Sequence, residues 1–143
     1  MAAPAALLYG GVTLLRRWFY DRGLAAQETV EIPTISVGGI EVGGSGKTPV
    51  TEYLLELLLK GGKKPGLLSR GYGRQSRGLV VRGRGEVPQP EQLGDEPAML
   101  VASGLDIPVA VCAKRLVGAR ILQAHDVGTL VLDDGFAHRA MGR

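Results

Sequence analysis

Gly46-Lys47-Thr48 closes a glycine-rich run that starts at Gly38, and a helical pattern begins directly after it. These types in this order suit phosphate. Glycines let backbone N–H groups turn inward around phosphate oxygens, and the following helix aims its positive end at them. Gly43, Gly44, Ser45 and Gly46 would form the cradle. Lys47 would reach the β- and γ-phosphates, and Thr48 would offer a hydroxyl to Mg²⁺. The pattern G-x-x-x-x-G-K-[ST] asks for glycine at position 41, where this chain has Glu41. The loop is therefore a deviant one. A flexible turn with a chance Lys-Thr is the bland alternative. A strand before the loop and a helix after it, both where the mechanism needs them, argue for the phosphate reading.

Carboxylates supply the second half of the chemistry. Thr129-Leu130-Val131-Leu132 is continuously apolar and runs into Asp133-Asp134-Gly135. A buried strand ending in an acid, paired with a phosphate loop elsewhere, is the arrangement that holds the Mg²⁺ of a bound nucleotide. On its own, Asp-Asp-Gly after a strand is more often a turn, and the Gly-Lys-Thr loop is what tips the reading. Asp95 and Glu96 precede a helical segment and read either as a helix cap or, for a base, as acceptor of a hydroxyl proton. Arg70, Arg74 and Arg115 are candidate phosphate clamps, against the plain alternative of solvated surface arginines. His138 follows the acidic pair. His125 lies late in a helix and reads as a surface or capping residue.

The elements that must position these residues follow from periodicity. Thr34–Val37 reads as a strand. Residues 48–60 read as a helix burying Val50, Tyr53, Leu54, Leu57 and Leu58, closed by Gly61-Gly62. Gly66–Ser69 reads as a strand ending in the turn Arg70-Gly71-Tyr72-Gly73-Arg74. Residues 78–81 read as one strand of a hairpin. A short helix opens at Gly94-Asp95-Glu96-Pro97 and runs to about Ser103. Ile107–Cys112 is a strand, Leu116–Ala124 a helix, and residues 128–132 a strand. Strands alternating with helices predict an α/β fold: a P-loop NTPase-like parallel sheet with helices on both faces. Ligands in such sheets bind beyond the carboxyl ends of the strands.

With 143 residues the chain can bury one core. A net charge of +3 suits anionic substrates or a membrane surface and is too weak to point to nucleic acid. The one cysteine, Cys112, lies in an apolar run, which excludes an intramolecular disulfide and a cysteine-based zinc site. Such usage fits a reducing compartment. Residues 1–26 form a separate expectation. Their apolar part, broken by Pro4 and Gly10-Gly11, is too short to span a bilayer. Arg16 and Arg17 follow the apolar run rather than precede it, unlike a signal peptide. The segment reads either as an interfacial helix with Trp18, Phe19 and Tyr20 at headgroup level, or as a helix packed on the domain. Residues 27–143 are read as the nucleotide-binding domain.

Assembled, these blocks resemble the tetraacyldisaccharide 4'-kinases, the lipid A 4'-kinases of Gram-negative bacteria. The resemblance rests on Phe19-Tyr20-Asp21-Arg22-Gly23, Ser36-Val37-Gly38-Gly39, Val42-Gly43-Gly44-Ser45-Gly46-Lys47-Thr48-Pro49, Ser69-Arg70-Gly71-Tyr72-Gly73-Arg74, Gly94-Asp95-Glu96-Pro97 and Leu132-Asp133-Asp134-Gly135-Phe136-Ala137-His138-Arg139. It implies transfer of the γ-phosphate of ATP to the 4'-hydroxyl of an acylated glucosamine disaccharide 1-phosphate. It implies a monotopic protein on the cytoplasmic face of the inner membrane. It gives Asp95 the base role, Asp133 and Asp134 the Mg²⁺ site, and Arg115 a phosphate contact. The chain departs from the family at Ala137, where a Gln is usual, and at Lys114, where an Asp is usual. Family members are also about twice as long, with a further histidine in their second half, so the chain reads as a fragment.

Two other classes stand beside this one. A switch-type deviant-loop ATPase would carry a lysine where this chain has Val42. A non-catalytic nucleotide-binding fragment would bind ATP without transferring phosphate.

Overall fold

The computed structural model describes residues 30–39 and 46–133. Five strands form one sheet: β1 (Thr34–Val37), β2 (Pro65–Ser69), β3 (Val80–Arg82), β4 (Val109–Val111) and β5 (Thr129–Asp133). Among the described residues four helices accompany them: α1 (Lys47–Lys60), α2 (Pro90–Leu93), α3 (Asp95–Ala102) and α4 (Arg115–Ala124). The strand order is β1-β5-β2-β4-β3. The first four positions are mutually parallel, and β3 joins the edge antiparallel to β4. This is the expected α/β class.

Strands β2 and β5 are buried along their whole length. Alternation divides their side chains between two cores. Leu67, Val109, Val111, Val131 and Val37 face Leu55 of α1 and Ala98, Leu100 and Val101 of α3. Leu68, Ala110, Leu130 and Leu132 face Ala119 and Leu122 of α4. Continuous apolar strands are what a sheet covered on both faces requires.

Helix α1 ends as its glycines predict. Gly62 adopts a left-handed φ of 68°. Its N–H donates to the Leu59 carbonyl, and the Lys63 N–H reaches back to that of Leu58. Those two bonds satisfy carbonyls that the helix end leaves open.

Three expectations are corrected. The buried stripe of α1 is rotated: Thr51 and Leu55 are buried with Leu54, Leu58 and Leu59 partly so, whereas Val50, Tyr53 and Leu57 are 57%, 68% and 53% exposed. Leucines at five consecutive-turn positions made several faces equally apolar, and packing on the sheet selected one. The predicted hairpin does not form at 78–81. Strand β3 instead pairs with β4, with Val80 opposite Val111. The short helix α2, unforeseen, lies between them in the chain with Pro90 at its start. Strand β4 is trimmed to Val109–Val111, since Pro108 lacks the N–H that a longer ladder would use.

Candidate functional site

Parallel pairing brings the carboxyl ends of β1, β5, β2 and β4 to one edge of the sheet. Every described candidate residue gathers there or on the loops leaving it. The register places Val37, the last residue of β1, opposite Asp133, the last of β5. The chain leaving β1 returns as Gly46, the N-cap of α1, with φ 66°. Lys47 and Thr48 then form the first turn of α1, both half-buried.

The face matters as much as the edge. Asp133 is two residues beyond Val131, which packs in the α1 core, so the Asp133 side chain projects toward the α1 side. The acid therefore lies on the same face as the helix that opens with Lys47-Thr48. It is 5% exposed. A buried carboxylate on the face of a helix that opens with a threonine hydroxyl offers two kinds of hard oxygen donor. Mg²⁺ bound with phosphates needs only one or two protein carboxylates, and these residues fit it. Gly43, Gly44, Ser45, Asp134 and His138 lie outside the described residues, as do residues 1–26.

Ser69 was not anticipated as a functional side chain. It ends β2, is 3% exposed, and donates its hydroxyl to Asp133 Oδ2 at 3.1 Å. Its oxygen accepts the Gly71 N–H at 3.3 Å. The available signal was a polar residue closing an otherwise apolar strand at the same edge as Asp133.

Asp95 opens α3 and is exposed. Its loop packs tightly on the turn that follows β2. A Cβ at Gly94 would fall 2.8 Å from the Tyr72 carbonyl oxygen and 3.1 Å from Gly71 Cα. Asp95 Oδ2 lies 3.8 Å from where a Cβ on Gly73 would sit. The base candidate is thus carried on the rim formed by the β2 turn, which Ser69 in turn ties to Asp133.

The arginines divide. Arg115 is 4% exposed and donates to the carbonyl oxygens of Cys112 at 3.2 Å and Asp133 at 3.3 Å. It braces the ends of β4 and β5. Arg74 donates to the carbonyls of Val111 and Gly78 and to the Ser76 hydroxyl, so it holds the loop in shape. Arg70 is exposed at the end of β2. A further buried arginine, Arg82, clips β3 to the chain before β4 through the carbonyls of Glu86 and Ile107 and the Asp106 carboxylate. Burial pushes the Cys112 thiol up, offset in part by the Gly118 N–H and by the charges of Arg115 and Arg74. Its Sγ sits 3.1 Å from the Lys114 carbonyl oxygen, which suits a structural thiol. His125 is the exposed C-cap of α4.

A mostly parallel sheet covered on both faces, with Lys47-Thr48 opening the helix after β1 and an acid ending the adjacent strand, has a P-loop NTPase-like α/β fold. Comparison with known proteins narrows this. The family model for tetraacyldisaccharide-1-P 4'-kinase, LpxK, matches residues 1–143, and the chain belongs to that family. It is 48% identical over 141 residues to the tetraacyldisaccharide 4'-kinase of Shewanella piezotolerans and 45% identical to that of Shewanella halifaxensis. Both alignments cover 98% of this chain and 42% of the relative. The crystal structure of "apo" form LpxK from Aquifex aeolicus in complex with ATP superposes with a TM-score of 0.86 at 34% identity. It covers 99% of this chain and 45% of that one. The chain thus spans about two fifths of the length of these relatives. Among the described residues no helix is long and apolar enough to cross a membrane.

Proposed function

We propose that this chain provides the Mg-ATP site of a kinase that phosphorylates the 4'-hydroxyl of tetraacyldisaccharide 1-phosphate. The carrying observation is the register of Val37 with Asp133, which sets an acid beside the strand that leads into Gly46-Lys47-Thr48. Family membership and the ATP-bound relative support the nucleotide and the acceptor. Gly43, Gly44, Ser45 and Gly46 would cradle the phosphates. Lys47 would neutralise charge that builds on the β- and γ-phosphates during transfer. Thr48, Asp133 and Asp134 would hold Mg²⁺. Mg²⁺ held there would supply positive charge against the negative charge of the phosphates. Asp95 would accept the proton of the 4'-hydroxyl as its oxygen attacks phosphorus. Arg115 would contact phosphate from beside the ends of β4 and β5, where it holds the Cys112 and Asp133 carbonyls. Residues 1–26 would bring the chain to acylated substrate at the cytoplasmic face of the inner membrane.

Equilibrium binding of ATP to the chain, with and without Mg²⁺, tests the nucleotide site. Transfer of labelled γ-phosphate to tetraacyldisaccharide 1-phosphate tests the activity. Tight Mg-dependent binding with transfer supports the whole reading. A second reading is a nucleotide-binding piece without turnover. Binding without transfer would select that one, and stimulation of hydrolysis by a protein partner rather than by lipid would select a switch ATPase.

A further inference from the structure

We infer that Ser69 is a positioning residue for the metal-side carboxylate, and that its hydroxyl couples Asp133 to the turn against which the Asp95 loop packs. This rests on the Mg-ATP reading above. Ser69 and Asp133 end neighbouring parallel strands, one register step beyond the Leu68–Leu132 pair. Both follow residues of the α1 core by two positions, Leu67 and Val131, so both side chains meet on that face. The Ser69 hydroxyl has one proton, and it goes to Asp133 Oδ2 at 3.1 Å. The Gly71 N–H, 3.3 Å from the Ser69 oxygen, fixes the direction of that proton by occupying the acceptor side. Both side chains are almost wholly buried, so water is a poor substitute donor.

Holding one carboxylate oxygen sets where the other points. A donor to a metal-binding carboxylate restricts its rotation and favours its charged form. The same hydroxyl reaches the turn at Gly71, and the next residues of that turn abut Gly94 and Asp95. One side chain therefore fixes the acid on β5 and the wall beside α3 together. A methyl group in its place leaves Asp133 Oδ2 without this donor and the Gly71 N–H without this acceptor.

The test is a Mg²⁺ titration of ATP binding by the full chain, for Ser69→Ala, Ser69→Thr and the unsubstituted protein. For Ser69→Ala the Mg²⁺ concentration at half-maximal binding should rise about tenfold, as for loss of a partner behind a metal ligand. ATP affinity in EDTA should stay within about twofold, since that state does not use the metal donors. Ser69→Thr keeps the hydroxyl and should restore most of the Mg²⁺ response. In an Asp133→Asn background, Ser69→Ala should add little, because the two act through one donor. An unchanged Mg²⁺ midpoint in Ser69→Ala, or a parallel loss in EDTA, overturns the assignment to Ser69 alone. Absence of Mg-dependent ATP binding in the unsubstituted chain overturns the Mg-ATP reading, and the role of Ser69 with it.

Discussion

Replacing Gly94 with alanine should be among the most damaging single-methyl changes in the chain. Gly94 has φ 91° and ψ 159°, a region open essentially to glycine, where another residue costs about 1–3 kcal/mol. The added Cβ would meet the Tyr72 carbonyl oxygen at 2.8 Å and Gly71 carbonyl carbon and Cα at 3.1 Å. These are backbone atoms and cannot rotate away, so the two turns must separate, at about 1–3 kcal/mol for forced overpacking. The sum is about 2–6 kcal/mol, a large part of the about 5–15 kcal/mol that usually holds a domain together. Gly62→Ala is the internal control. Its φ is 68°, and a Cβ there meets nothing within 4 Å, so only the left-handed strain remains, about 1 kcal/mol. Urea unfolding followed by circular dichroism reads the difference. With a slope of about 2 kcal/mol per molar, the Gly94→Ala midpoint should fall by roughly 1–3 M. Equal midpoints for Gly94→Ala and Gly62→Ala would refute the close approach of the Asp95 loop to the β2 turn.

Four further outcomes are expected. Lys47→Ala should weaken Mg-ATP binding by at least about tenfold while leaving the urea midpoint within about 0.5 kcal/mol of equivalent stability, as calorimetry and unfolding together would establish. Arg115→Met should cost about 2–4 kcal/mol in urea, because the Cys112 and Asp133 carbonyls lose a charged donor in a buried setting. A midpoint unchanged by that substitution would contradict the bracing role. Cys112 should resist iodoacetamide in the native chain and react promptly in urea. Because the fold raises this thiol, its contribution to stability is present below the ordinary thiol range and is lost as pH climbs through that range toward the folded value, so alkaline titration should lower the urea midpoint and Cys112→Ala should flatten that slope.

The strand ends were legible because a parallel sheet writes them plainly. Thr129–Leu132 had to be buried on both faces, so the acid closing it had to emerge at the ligand edge. Lys47 and Thr48 were placed by the same logic from the other side of the loop. The exposed face of α1 was not legible. Val50, Tyr53, Leu54, Leu55, Leu57, Leu58 and Leu59 give several apolar arcs, and only the sheet beneath decides which is buried. The partner of β3 was hidden for another reason. Pairing with β4 is non-local, across α2 and α3, and the Gly83-Arg84-Gly85 turn directly after β3 does not announce it. Arg115 and Arg82 share that difficulty: a buried arginine is defined by carbonyls distant in sequence.

Alternation explains why the edge alone does not make a site. Asp133 reaches the α1 side because Val131 does, and Ser69 because Leu67 does. A one-residue slip of β5 against β2 would send Asp133 to the α4 face, where Leu132 and Leu130 now pack against Leu122. That slip would bury a carboxylate among leucines. The apolar order Leu130-Val131-Leu132 permits either register by hydrophobicity alone. What separates them is polar: the Ser69–Asp133 hydrogen bond forms in one register and has no equivalent in the other. The pair that holds the carboxylate on the α1 face therefore also favours the register that puts it there, so site geometry and strand pairing draw on the same two side chains.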